Sequence, residues 1–201
     1  MPPTALIVVD IQRDFLPGGA LPVKRGNEII EPVNALIDRF AEKGLPIFFT
    51  RDWHPRDHRS FRSQGGIWPA HCVKGTPGAE FAPSLRVPRG AAIVSKATRR
   101  NAEAYSGFQG TELAAQLRRG GVKGLFVVGL ATDYCVKNTV IDGIEGGFDV
   151  TLVADCVRGV NLRRTDSASA FRSMASAGAR KTTCRRLLKG LDGRVAVRSS
   201  S

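Results

Sequence analysis

The chain has 201 residues, 42% of them apolar and 24% charged, enough to enclose one full hydrophobic core in a single domain spanning 1–201. A net charge of +12 raises the question of nucleic acid, but the basic residues fall in scattered pairs (Arg99-Arg100, Arg118-Arg119, Arg163-Arg164, Arg185-Arg186) without interleaved aromatics, which argues against a specific nucleic-acid partner. The apolar run Ala5 to Val9 is too short for a signal-peptide core and no stretch approaches the roughly twenty residues of a membrane span, so the expectation is a cytoplasmic protein with no membrane partner.

In chain order, five short apolar runs read as buried strands, at 4–10, 45–52, 91–96, 122–130 and 148–155, because both faces are apolar and each run ends in polar residues or glycine. Helical spacing appears at 27–43, 110–119, 133–145 and 165–177, with Gly44, Gly120-Gly121 and Gly146-Gly147 as stops. A sixth strand is expected around Arg180 to Thr183, and a frayed tail from Asp192 to Ser201. This alternation predicts an α/β three-layer sandwich on a mostly parallel six-stranded sheet, Rossmann-like in plan. In such sheets ligands bind beyond the carboxyl ends of the strands, where the strand order reverses. Asp10, Asp52 and Lys96 end the first three strands and Cys135 follows the fourth, so the four should converge on one edge.

All three histidines, His54, His58 and His71, lie in the loop TRDWHPRDHRSFRSQGGIWPAHCVKG. Asp52, His54 and His71 can supply three ligands to a divalent metal while leaving positions open for water or substrate. The alternative is a polar surface loop whose histidines only form hydrogen bonds, and the pattern alone leaves both readings standing. The loop is expected to contribute little to the core.

Cysteines 72, 135, 156 and 184 are far apart, with no C-x-x-C pair, and are expected to be free thiols. Cys135 sits in GLATDYCVKNT, at a strand-to-helix junction where the helix dipole favours a thiolate nucleophile, although a cysteine there can equally be core filler. No histidine lies outside the metal loop to take its proton. Asp10 can do so, with Lys96 as the nearby cation that draws the thiol pKa down. The competing reading is a structural Asp10–Lys96 salt bridge.

These motifs, together with ALIVVDIQRDFLPGGALPV, WPAHCVKGTPGAEF, VSKATRRNAEAYSGFQGTEL and VTLVADCVRGV, cover residues 4 to 180 in order. The chain therefore resembles the nicotinamidases of the isochorismatase-like cysteine hydrolase superfamily. The resemblance implies a catalytic triad of Asp10, Lys96 and Cys135, and Asp52, His54 and His71 as ligands of one Zn²⁺, Fe²⁺ or Mn²⁺ ion. Members of the superfamily that act on other substrates generally lack the metal loop. The spacing does not decide whether His58 ligates directly or stands behind the ligands. By the same likeness Ala131 and Cys135 would form an oxyanion hole, with a cis peptide between Leu130 and Ala131. Phe15, Trp68 and Tyr105 would wall the substrate pocket, though each could instead be core packing. The implied reaction is hydrolysis of nicotinamide, and of pyrazinamide, through a cysteine thioester in NAD salvage. Homo-oligomers and monomers both occur among such proteins, and the sequence selects neither.

Overall fold

The computed structural model describes residues 3–193. Six strands, β1 (Thr4–Val9), β2 (Ile47–Asp52), β3 (Ala92–Lys96), β4 (Gly124–Leu130), β5 (Asp149–Arg158) and β6 (Arg180–Thr182), form one sheet in the order β3-β2-β1-β4-β5-β6, and every pairing is parallel. Residues of β1 alternate between two cores: Leu6 and Val8 face one, Ala5, Ile7 and Val9 the other, and all are buried. Helices α1 (Ile30–Glu42) and α5 (Cys184–Asp192) cover the first face. Helices α2 (Leu113–Arg119), α3 (Lys137–Glu145) and α4 (Asp166–Ser176) cover the second, completing the expected three layers.

Several boundaries differ from the sequence reading for local reasons. Strand β2 starts at Ile47 because Pro46 has no N–H to give the ladder. Strand β5 runs past Asp155 to Arg158, since Val157 and Arg158 resume pairing with Gly129 and Leu130 beyond a register shift. The expected helix at 27–43 opens as a 3₁₀ turn, Gly26–Ile29, before α1. That at 133–145 divides into a π-helical turn, Thr132–Val136, and α3. Asp192 belongs to α5 and not to a frayed tail, and the rest of that expectation, residues 194–201, lies outside the described residues. No described helix is long and apolar enough to cross a membrane.

Strand order reverses between β1 and β4, whose connections leave in opposite directions. The two strands approach closely there: Gly129 has φ 117, and a side chain on it would collide with the backbone of Val9. The link from β2 to β3 contains no α-helix and carries the histidine loop over the carboxyl end of the sheet.

Candidate active site

In-register pairing of β2 with β3 sets Asp52 opposite Lys96, so the two side chains leave the sheet edge together. The buried Lys96 Nζ donates to Asp52 Oδ1 and to the Ala104 carbonyl at 3.1 Å, and lies 3.5 Å from Cys135 Sγ. It also lies 2.9 Å from Asp10 Oδ2. Asp10 follows β1 with φ 47, and Thr50 Oγ1 donates to its Oδ1 at 2.6 Å. Among the described residues Asp10 Oδ2 is the one buried side-chain oxygen without a directed hydrogen bond, so its contact with Lys96 is ionic. One carboxylate oxygen each of Asp10 and Asp52 and the Cys135 Sγ lie within 4.8 Å of one another, which puts carboxylate acceptors beside the thiol. The Asp10–Lys96 pair expected from sequence is thus a set of three charges that includes Asp52.

The two carboxylates on Lys96 move in opposite directions. Burial raises the Asp10 pKa against the pull of Lys96, and the Asp52 charge adds to the rise. Burial also raises Asp52, but Lys96, His54 and His71 outweigh it and hold the group low and ionised. Burial would lower Lys96, yet Asp10, Asp52 and Cys135 keep it well above the usual ammonium value. Cys135 departs from the sequence expectation: burial pushes the thiol well up despite Lys96. The cation that lowers the thiol pKa also faces the two carboxylates, whose charges raise it.

Burial brings the His54 pKa down to about 4 against the pull of Asp52, so the ring is neutral at pH 7. His54 Nδ1 is 3.0 Å from the His71 carbonyl, and His71 Nδ1 is 2.8 Å from the Pro69 carbonyl. A carbonyl only accepts, so each Nδ1 is the donor, and each Nε2 is left as the nitrogen available to a ligand. Asp52, His54 and His71 bring their ligand atoms within 4.8 Å of one another, and this donor set fits a divalent cation. His58 differs. Its Nε2 is 3.2 Å from the Ala102 carbonyl, while its Nδ1 meets Ser60 Oγ at 2.7 Å and accepts from Ser60 N. Both nitrogens are engaged, and the ring packs behind His54 at 4.4 Å between centroids. The loop is partly a surface feature, with Arg62–Gly65 and Ile67 exposed, but its three histidines are buried and pack around Phe61.

Phe15, Trp68 and Tyr105 line a small, mostly apolar pocket with Asp52, His54, His71, Ala131 and Cys135. Trp68 Nε1 donates to Tyr105 Oη at 3.0 Å, and burial raises the Tyr105 pKa to about 12, keeping that hydroxyl neutral. The peptide between Leu130 and Ala131 is cis.

The isochorismatase domain profile matches residues 4–185. The chain belongs to the isochorismatase family. The nicotinamidase of Escherichia coli K12 is 40% identical to it over 200 residues, 89% of this chain and 94% of that protein. The crystal structure of pyrazinamidase of Pyrococcus horikoshii in complex with zinc superposes with a TM-score of 0.87 at 52% identity, over 90% of this chain and 99% of that one. PnC1 of L. infantum in complex with nicotinate gives 0.86 at 33% identity, over 92% and 94%.

Within this isochorismatase-family site the sequence reading passed over three residues. Tyr134 lines the pocket and meets Trp68 edge-on at 5.0 Å; the available signal was an aromatic immediately before Cys135. Thr50 fixes Asp10, and Asp133 accepts from Val160 N at 2.9 Å and Asn161 N at 2.7 Å, holding the segment from which Val160 reaches the pocket. Neither contact joins residues near in sequence, and no local pattern announces either.

Proposed function

We propose that the protein hydrolyses nicotinamide, and by the same route pyrazinamide, to the carboxylate and ammonia, serving NAD salvage in the cytoplasm. That it is a hydrolase acting on an amide follows from its likeness to named nicotinamidases over most of the chain. The observation that carries the finer reading is Lys96 held between Asp10, Cys135 and Asp52 at the wall of an aromatic pocket.

In this reading the raised Asp10 carboxylate accepts the Cys135 proton as the sulfur attacks the carboxamide carbon. A buried thiol of raised pKa needs such a base in the same step, and an acceptor of raised pKa is better matched to it. Lys96 stays charged and compensates the negative charge shared by Asp10 and sulfur. The N–H groups of Ala131 and Cys135 donate to the carbonyl oxygen as it gains charge. Asp10 returns the proton to the departing nitrogen, ammonia leaves, and a thioester on Cys135 remains. Asp10 then takes a proton from water as the water oxygen attacks the thioester carbon, and passes that proton to the departing sulfur, which restores the Cys135 thiol. The acid product loses its remaining proton to solvent as the carboxylate. Asp52, His54 and His71 would hold a Zn²⁺, Fe²⁺ or Mn²⁺ ion, which when bound supplies a Lewis-acid contact for the pyridine nitrogen and so orients the ring. Phe15, Trp68, Tyr105 and Tyr134 enclose that ring and exclude water.

Ammonia release separates the outcomes. The protein should turn over nicotinamide and pyrazinamide, benzamide should react at least tenfold more slowly for want of a ring nitrogen, and Cys135→Ala should abolish turnover. Equal rates on benzamide and nicotinamide would sink the ring-nitrogen contact, and an active Cys135→Ala enzyme the thioester.

A further inference from the structure

The segment from Asp10 to Phe15 does more than end β1 with a catalytic base. Gln12 is fully buried, and its amide pairs with both backbone groups of Asp52: Asp52 N donates to Gln12 Oε1 at 2.8 Å, and Gln12 Nε2 donates to Asp52 O at 2.8 Å. The same Nε2 donates to Ala79 O at 2.8 Å, so all three groups sit at full hydrogen-bond strength. The side chain thus extends the sheet by one rung at the residue that bears the carboxylate ligand. Two positions on, Asp14 Oδ2 accepts from Cys72 N at 2.7 Å, immediately after His71. Cys72 stands at φ 46, a conformation a non-glycine residue keeps only when its neighbours hold it. Asp14 is itself fixed: its Oδ1 accepts from Ala20 N at 3.2 Å, and its carboxylate lies against Gly78, where any side chain would collide with it. Phe15 completes the set, with its ring 5.5 Å from that of His71.

We propose that residues 12–15 form a clamp that sets the spacing of the metal ligands, with Gln12 and Asp14 as positioning residues: Gln12 holds the Asp52 arm and Asp14 the His71 arm. Asp52 and His71 are brought together across a stretch of the β2–β3 link that contains no α-helix. Neither ligand has a regular element on both sides to hold it. Both are tied instead to one six-residue stretch that also carries Asp10, so the metal and the base share a single mount. The proposal rests on the reading of Asp52, His54 and His71 as metal ligands.

The test is the affinity of metal-stripped protein for Zn²⁺, measured by competition with a chromophoric chelator, alongside thermal denaturation. Gln12→Met keeps the volume and loses all three hydrogen bonds; Asp14→Ala loses the Cys72 contact from a half-buried position and serves if the first variant does not fold. Each should weaken Zn²⁺ binding 10- to 100-fold, the range seen when a group supporting a ligand is removed. Asp14→Asn keeps an acceptor for Cys72 N and should stay within about threefold of wild type. As a control, Leu191→Ala in α5 should lower the melting temperature with unchanged affinity. Wild-type affinity in Gln12→Met or Asp14→Ala, with only the melting temperature lowered, would reduce the clamp to ordinary packing. A wild-type protein that binds no Zn²⁺ overturns the metal reading itself, a result distinct from equal binding by wild type and variants.

Discussion

His58 and His71 lie in the same buried ring cluster, yet their hydrogen bonds give them different work. His71 donates from Nδ1 to Pro69 and keeps Nε2 open, whereas His58 uses both nitrogens on Ala102 and Ser60. His71→Ala should therefore abolish stoichiometric metal. It should also cost about 1–3 kcal/mol of stability, because the ring packs against Phe15, His54 and Phe61. His58→Ala should cost a similar amount, about 1–3 kcal/mol, by leaving Ser60 and the Ala102 carbonyl without a partner, and should keep the metal. Elemental analysis with thermal denaturation checks both; metal retained in His71→Ala and lost in His58→Ala would reverse the assignment. At this scale the sequence was informative about which residues meet, because Asp52 and Lys96 end their strands and Asp10 and Cys135 closely follow theirs. It was silent on protonation. The direction of the Cys135 shift depends on burial and on Asp52 reaching Lys96, and neither is a local property of the chain.

At the scale of elements, α5 is the one whose sequence signal went unread. Its apolar Cys184, Leu187, Leu188 and Leu191 follow helical spacing, and Thr183 Oγ1 caps it by accepting from Arg186 N. The pattern is only nine residues long and thick with arginine and lysine, so it does not stand out as an element until β5 and α1 supply a surface for it. Leu187 is buried in the core shared with α1. Leu187→Ala should destabilise the fold by about 2–4 kcal/mol. The active site lies at the carboxyl ends of the strands, so kcat/KM at 25 °C should stay within twofold of wild type. Chemical denaturation and initial rates test the two halves separately, and a large loss of kcat/KM in folded protein would tie α5 to the site. The longer strands and helices were legible because each has a full apolar face. Their ends were not, since Pro46, the register shift in β5 and the π-helical turn before α3 act through neighbours and not through periodicity.

Over the whole molecule, the alternation of elements implies a parallel sheet but not its order, because the choice of neighbour is made by packing distant in sequence. That order has a consequence for how the protein is made. Of the six strands of this sheet β1 is synthesised before the others, yet it occupies an interior position between β2 and β4, and about 120 positions separate the starts of β1 and β4. At about 5–20 residues per second of synthesis, the five apolar residues of β1 wait roughly 6 to 24 s with one lateral partner still untranslated. The nascent chain therefore passes through a stage in which its most hydrophobic segment has an open edge, the stage at which chaperone capture or aggregation competes with folding. A released fragment of residues 1–121 should be digested rapidly by protease and associate with itself, whereas the full chain resists. A fragment as resistant as the full chain would mean that the first half closes its own core without β4.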